Sequence, residues 1–95
     1  MSPLTVIAKL KAKSGYEEQL YEELRNLVEP SRAEEGCINY DLHGSLDEPG
    51  TFMFYENWES RPLWEQHMES PHLNEFSGKQ AELTETWELF VGEKF

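Results

Sequence analysis

The first apolar pattern of the chain repeats every second residue. In the stretch LTVIAKLKA, Leu4, Val6 and Leu10 point to one side, and Lys9 and Lys11 point to the other. This alternation is typical of a β-strand with one buried face. Two later stretches, CINYDLHGS and TFMFYENW, are also strand-like, and the loop LDEPG between them has turn-forming residues. The pattern therefore predicts a strand followed, further along the chain, by a β-hairpin.

Two segments with helical spacing flank the hairpin. Ser14 followed three residues later by Glu17 forms the pattern of a capping box, which predicts a helix that starts at Ser14. Pro30 marks the expected end of this helix. Ser60 and Ser70, each followed closely by a proline, predict a second helix that bends and restarts. The apolar face of that second helix holds Leu63, Trp64, His67 and Met68.

A last strand-like run, WELFV, completes the order β-α-β-β-α-β. This order is the ferredoxin-like α+β fold, in a single domain over residues 1–95. Two helices can cover one face of a four-stranded antiparallel sheet and leave the other face open. Apolar residues nevertheless occupy positions on both faces, among them Ile7, Ile38, Tyr40, Leu42, Met53, Tyr55 and Phe90. A second sheet can cover the open face, so the sequence predicts a face-to-face homodimer.

The chain carries a net charge of −11 and has no basic patch. Such an acidic surface repels phosphate groups and anionic lipids, so neither nucleic acid nor a membrane surface is an expected partner. No apolar run reaches the roughly 18 residues of a membrane-spanning helix, and no signal-peptide pattern precedes the first strand. The single cysteine, Cys37, cannot form a disulfide within the chain. Together these features predict a cytoplasmic protein.

The hairpin brings several polar residues together if its turn lies at residues 46–49. His43 would then pair with Phe52, and Asn39 with Glu56, whereas a shift of one residue would undo this pairing. With that register, one face of the hairpin holds Asn39, Asp41, His43, Glu56 and Trp58. An apolar cleft with a few convergent polar groups is typical of a small-molecule site. We therefore expect Asn39, His43 and Glu56 to contact a substrate.

His67 is the most informative candidate, because it lies on the apolar face of its helix. It could act as a general base or as a substrate hydrogen-bond partner. Alternatively, it could be a core histidine bonded to a backbone carbonyl or to Glu56. Trp58 could form a wall of a reaction chamber or belong to the core, whereas Trp64 is expected to pack in the core or at an interface.

The remaining candidates allow binding roles but form no metal or cofactor motif. His72 could contact a substrate or stabilise the bend in the second helix, and Arg32 could hold an anionic substrate group or form a surface ion pair. His67 and His72 are five residues apart and straddle Pro71, which is not the zincin spacing. The chain also has no glycine-rich phosphate loop, nucleophile elbow, flavin fingerprint or nicotinamide fingerprint. We therefore expect neither a metal nor a cofactor.

Four segments of the chain, in this order, carry a resemblance to a known family. LTVIAKLKAKSGYEEQL, EEGCINYDLH, YENWES and SPH, with a histidine seven residues after WES, are similar to the antibiotic biosynthesis monooxygenase family and its small stand-alone quinol monooxygenase branch. The resemblance implies a dimeric α+β barrel of ferredoxin-like subunits. It also implies oxidation of phenolic or quinol substrates by molecular oxygen, without metal or flavin, in a pocket between sheet and helices. In that chemistry His67 would take the phenolic proton, Trp58 would line the chamber, and His43 or Glu56 would polarise a carbonyl.

Three other functions come into question: haem degradation, which is not expected, and two alternatives that stay open. Haem-degrading members of the superfamily share Trp58, but Ala8 stands at the position of their asparagine and Ser77 near that of their haem ligand, so haem is not expected. An isomerase or tautomerase of a small oxygenated metabolite is a second alternative. A relative of the resembled branch isomerises a phosphorylated sugar derivative, which Arg32 and the histidines would allow but the acidic composition does not favour. A non-catalytic ligand-binding or stress-response module is the third.

Overall fold

The computed structural model describes residues 3–95, which form a sheet covered on one face by helices. The strands are β1 Leu4–Ala12, β2 Cys37–Gly44, β3 Thr51–Trp58 and β4 Thr84–Glu93. The helices are α1 Glu17–Arg25, α2 Val28–Arg32, α3 Arg61–Met68 and α4 Pro71–Leu83. All strand pairs are antiparallel, in the order β2-β3-β1-β4. The predicted ferredoxin-like α+β fold is confirmed, with each helical connection broken into two helices.

Strand β1 lies inside the sheet and follows the predicted alternation. Val6 and Leu10 are buried against the helices. Ile7 lies on the open face, between Tyr55 of β3 and Phe90 of β4. Burial of the helix-facing apolar side chains is the main source of stability for a layer arrangement of this kind.

The first helix begins later than the capping-box pattern predicts. Helix α1 starts at Glu17, with Tyr16 in the capping position and no side-chain cap. The Glu17 carboxylate instead accepts the backbone N–H of Gly15 at 3.0 Å. Gly15 has a φ of +89°, which closes a turn before the helix. The predicted start at Ser14 is therefore wrong, because residues 14 and 15 form this turn.

The starts of the later helices agree with the sequence. Ser60 and Ser70 each accept a backbone N–H three residues ahead, at 3.4 Å, and cap α3 and α4. Pro30, however, lies inside α2 and does not end the helical segment. It is tolerated there because the first N–H groups of a helix have no partner within it. Within residues 3–95, no helix is both long enough and apolar enough to cross a membrane.

The hairpin register differs by one residue from the predicted one. The backbone N–H of Ser45 donates to the carbonyl oxygen of Thr51 at 2.9 Å, so Ser45 does not lie opposite Gly50. His43 consequently pairs with Met53. The loop between the strands is longer than the predicted turn, and this difference shifts all the pairs of the hairpin.

The shift exchanges the two faces of β2. Tyr40 and Leu42 turn toward the helices, and Tyr40 lies opposite Glu56. Asn39 and His43 turn to the open face, so the predicted cluster of Asn39, His43 and Glu56 on one face is wrong. The physical reason is that the two apolar residues of β2 occupy the buried face, where they gain more from leaving water.

The open face combines apolar and polar side chains. Tyr55 and Phe90 retain 41% and 58% exposure there. Beside them, the Asn57 amide donates to Oδ1 of Asn39 at 2.9 Å across β2 and β3. This face therefore exposes a group of large apolar side chains next to an ordered polar edge.

Candidate functional site

A cavity of about 290 Å³ lies between the helix-facing side of the sheet and helices α1, α3 and α4. Most of its wall is apolar. At its edge, Met68, Trp87 and Leu89 remain largely exposed. The polar side chains that line it are Tyr40, Glu56, His67, Ser77 and Gln80. A concave apolar site with a few polar groups suits a small organic ligand.

His67 lies in the cavity wall with only 1% of its surface exposed. Its Nδ1 is 2.6 Å from Oε2 of Glu34, so Nδ1 carries the hydrogen and donates it to the carboxylate. The ring lies 4.6 Å from the Trp58 ring and 5.3 Å from the Tyr40 ring, centre to centre. These contacts fix its orientation and leave Nε2 as the nitrogen with a free lone pair.

Burial also determines the charge of His67. Removal from water lowers the pKa of His67 below its ordinary value, and the neighbouring Glu34 carboxylate opposes this shift only in part. The imidazole is therefore neutral near pH 7. A neutral, oriented imidazole in an apolar wall can accept a proton from a bound ligand.

Glu34 connects His67 to a second histidine. It lies in the loop between α2 and β2, and its Oε2 is also 2.8 Å from Nε2 of His72, at the start of α4. Ser70 Oγ lies 3.2 Å from the same nitrogen of His72. The two histidines and Glu34 thus place three metal-ligating atoms within 4.8 Å of one another. The sequence reasoning missed Glu34, because only the fold brings this loop to the junction of α3 and α4.

Glu56 and Trp58 form a second polar pair, on β3. The Trp58 indole N–H donates to Oε1 of Glu56 at 2.9 Å. Burial raises the pKa of Glu56 to about 7, although the hydrogen bond from Trp58 opposes the shift. Protonated Glu56 is therefore far more abundant at neutral pH than it would be for a glutamate in water. In that form the carboxyl group can donate a hydrogen bond to a ligand in the cavity.

Both tryptophans belong to the buried core, so Trp58 takes the core position that the sequence leaves open for it and not the chamber wall. Trp58 is fully buried and contacts Glu56 and His67 from behind, without lining the cavity. Trp64 packs in the core as expected, with 7% of its surface exposed, and it also forms part of the cavity wall. Both positions follow from the strand and helix faces: Trp58 ends β3 under the helices, and Trp64 lies one turn before His67 on α3.

Four of the five predicted binding residues do not line the cavity. His72 is the first of them and lies at the Glu34 carboxylate. His43 is exposed on the open face, with Nδ1 3.2 Å from the carbonyl oxygen of Asp41. Asn39 donates to Oδ2 of Asp41 at 3.1 Å. Arg32 donates to Oδ1 of Asp41 at 3.2 Å and to the carbonyl oxygen of Tyr40 at 3.1 Å. Arg32 therefore forms the surface ion pair, and the register shift removes Asn39 and His43 from the site.

Residues 3–79 match the sequence model of the family described as "Antibiotic biosynthesis monooxygenase". The chain belongs to the antibiotic biosynthesis monooxygenase family. The matched range runs from the start of β1 into α4, so it includes every residue of the Glu34–His67–His72 cluster and the Glu56–Trp58 pair.

Relatives of this family member share both its sequence and its fold. "Putative monooxygenase YcnE" of Bacillus subtilis is 37% identical over 76 residues, which cover 80% of each chain. "Uncharacterized protein sll1783" of Synechocystis is 32% identical over 81 residues, and this match covers 85% of the present chain but only 55% of that protein. The crystal structure of PA3566 from Pseudomonas aeruginosa has a TM-score of 0.96 and 36% identity, and the alignment covers 100% of this chain and 96% of that one. The family and the name of YcnE support a monooxygenase-like function.

Proposed function

We propose that the protein is a cofactor-independent monooxygenase that oxidises phenolic or quinol-like molecules with molecular oxygen. One observation carries the proposal. Glu34 holds Nδ1 of His67 by a 2.6 Å hydrogen bond, so the opposite nitrogen is a base in the wall of an apolar cavity. The family assignment supports oxygen chemistry, and the cavity supports a small aromatic substrate.

The first step is removal of the phenolic proton by His67. Nε2 accepts the proton, and the Glu34 carboxylate stabilises the imidazolium that forms. The resulting phenolate gives up an electron far more readily than the neutral phenol. The buried position of His67 matters here, because exclusion of water strengthens its interaction with Glu34.

The substrate can supply all the electrons that oxygen requires. Transfer of one electron from the phenolate to O₂ gives a phenoxyl radical and superoxide, which combine to form a C–O bond. Cleavage of the O–O bond then leaves one oxygen atom on the ring and releases the other as water. In total, a quinol and O₂ give a hydroxyquinone and water. The four electrons needed to reduce both oxygen atoms come from the ring.

Glu56 suits the role of a hydrogen-bond donor to a ring oxygen. Its carboxyl group lies in the cavity wall, and burial raises its pKa to about 7. When protonated, it can bind a quinol oxygen and the negative charge that develops there. The Trp58 indole fixes its orientation from behind.

A homodimer is part of this proposal. Tyr55 and Phe90 lie on the open face and retain 41% and 58% exposure. Large adjacent apolar side chains of this kind are typical of a surface that a second chain covers. A second copy packed against this face would complete an arrangement in which each subunit keeps its own cavity on the opposite side of the sheet.

Oxygen stoichiometry and isotope labelling test the proposed reaction. The protein should consume one O₂ for each quinol converted, and ¹⁸O₂ should place one labelled atom in the product and one in water.

The acid–base pair of Glu56 and His67 could also catalyse an isomerisation without oxygen. Turnover of the substrate at an equal rate under anaerobic conditions would support that second function and contradict the oxygenase.

A further inference from the structure

Glu34, His67 and His72 meet at one point although they come from three parts of the chain. The same oxygen, Oε2 of Glu34, lies 2.6 Å from Nδ1 of His67 and 2.8 Å from Nε2 of His72. All three atoms lie within 4.8 Å of one another. His67 is buried, whereas Glu34 and His72 are about one-fifth exposed at the side chain. The cluster therefore has a fixed inner member and two outer members that solvent can reach.

The chemistry of these atoms is that of a transition-metal site. Two imidazole nitrogens and one carboxylate oxygen are the ligand set of many zinc and iron centres, with a further position for water. Bonds of roughly 2.0–2.1 Å to a tetrahedral ion place neighbouring ligand atoms about 3.3 Å apart. The Glu34 oxygen is closer than this to both nitrogens, because hydrogen atoms now join them. It would need to move outward by about half an ångström, and the two histidine nitrogens, which lie within 4.8 Å of each other, would need to settle about 3.3 Å apart.

The surroundings allow that movement. Glu34 lies in the loop between α2 and β2 and can adjust its side chain, whereas the His67 ring is held by the rings of Trp58 and Tyr40. Ser70 Oγ lies near His72 Nε2 and helps to fix that ring. Held imidazoles and an adjustable carboxylate favour metal binding, since little order must be created when the ion enters. The net charge of −11 also attracts cations.

We propose that Glu34, His67 and His72 bind one divalent transition-metal ion per chain, with Zn²⁺ or Co²⁺ as the ions to test. The ion would replace the hydrogens that now join Glu34 to the two histidines. If the proposed function holds, bound metal should also inhibit it. A metal on Nδ1 leaves the hydrogen of His67 on Nε2, where it can no longer accept a proton from a substrate.

Metal binding can be measured without any substrate, so its result is separate from that of the oxygenase test. The full chain, treated with chelator and dialysed, should bind one Co²⁺ with the visible absorption of a low-coordinate site, and Zn²⁺ should displace it. His72→Gln should weaken Zn²⁺ binding at least ~100-fold by calorimetry, because it removes a ligand. His43→Gln removes the exposed histidine outside the cluster and should bind like the wild type.

Glu34→Gln is the second variant, and it is used if circular dichroism shows that His72→Gln is unfolded. It removes the anionic ligand and should also lose stoichiometric binding. The proposal fails if the wild type binds no Zn²⁺. It also fails if His72→Gln and Glu34→Gln, when folded, bind Zn²⁺ as tightly as His43→Gln does, because the ion would then lie elsewhere.

Discussion

His67 and Glu34 are 33 positions apart in the sequence, yet Nδ1 of the histidine lies 2.6 Å from a carboxylate oxygen of the glutamate. This hydrogen bond selects the tautomer of a buried imidazole. It also joins the α2–β2 loop to α3, so the candidate base depends on a contact that local sequence does not encode.

Glu34→Gln should reduce kcat/KM for a quinol about 10²-fold, because a neutral amide cannot stabilise the imidazolium that forms on His67. The variant should stay folded, since Gln retains the length of the side chain and an oxygen acceptor. Glu35→Gln is the matched control: it removes the neighbouring, exposed charge. Equal rates for the two variants in steady-state kinetics would show that Glu34 has no role in the reaction.

Glu56→Gln should change how stability depends on pH. The pKa of Glu56 is about 7 in the folded protein, above its ordinary value of 4.5, so the folded state binds this proton more tightly. The stabilisation of the folded state by this bound proton is complete below pH 4.5 and is lost as the pH rises to about 7. The shift corresponds to about 3 kcal/mol in the free energy of unfolding.

Urea denaturation at several pH values measures this effect as the difference between wild type and Glu56→Gln. That difference should change by about 3 kcal/mol between acid and neutral pH, in favour of the variant at neutral pH. The lowered pKa of His67 adds an opposite pH dependence, but it is common to both proteins and cancels. Glu59→Gln, at an exposed position, should follow the wild type. Parallel curves for all three proteins would contradict the buried-acid assignment.

Gly36→Ala should destabilise the protein by about 2–4 kcal/mol. Gly36 has a φ of +85°, and a Cβ there would lie 2.5 Å from Cδ1 of Leu63. Gly36 lies two residues after Glu34, in the same loop between α2 and β2. Gly78→Ala is the control, because a Cβ there meets nothing within 4 Å and should slightly stabilise α4. Similar melting temperatures for both variants would mean that Leu63 moves aside at no cost.

Tyr55→Glu should separate the proposed homodimer. Light scattering should give about twice the chain mass of 11.1 kDa for the wild type and the single-chain mass for the variant. A charge placed among apolar side chains at an interface is costly to bury. Tyr21→Glu offers a matched control, since Tyr21 on α1 is 40% exposed, compared with 41% for Tyr55. A monomeric wild type would contradict the interface.

The order of elements could be predicted from sequence because each depends on local signals. The alternation of Val6 and Leu10 identifies β1, and Ser60 and Ser70 cap the helices as expected. Hairpin register could not be predicted, since it depends on the number of residues in the loop, and one residue more or less exchanges the faces of β2. For that reason the sequence predicts His43 in the site, whereas in the structure His43 lies on the open face.

The site could be predicted only in part. His67 gave a signal, because a histidine on an apolar helix face needs a partner. Glu34 gave none, because the chain holds 19 acidic residues and only the fold selects one of them. The fold also brings His67 and His72 to the same Glu34 carboxylate, although their spacing in the sequence does not match a zincin motif.

Oxygen uptake by His67→Ala and His43→Ala, each measured with a panel of hydroquinones, tests the central claim most directly. We expect His67→Ala to lose about 10²–10⁴-fold in rate while remaining folded, and His43→Ala, on the open face, to keep the wild-type rate. A folded His67→Ala protein that consumes oxygen at the wild-type rate, or a wild type that consumes none with any quinol, would contradict the account.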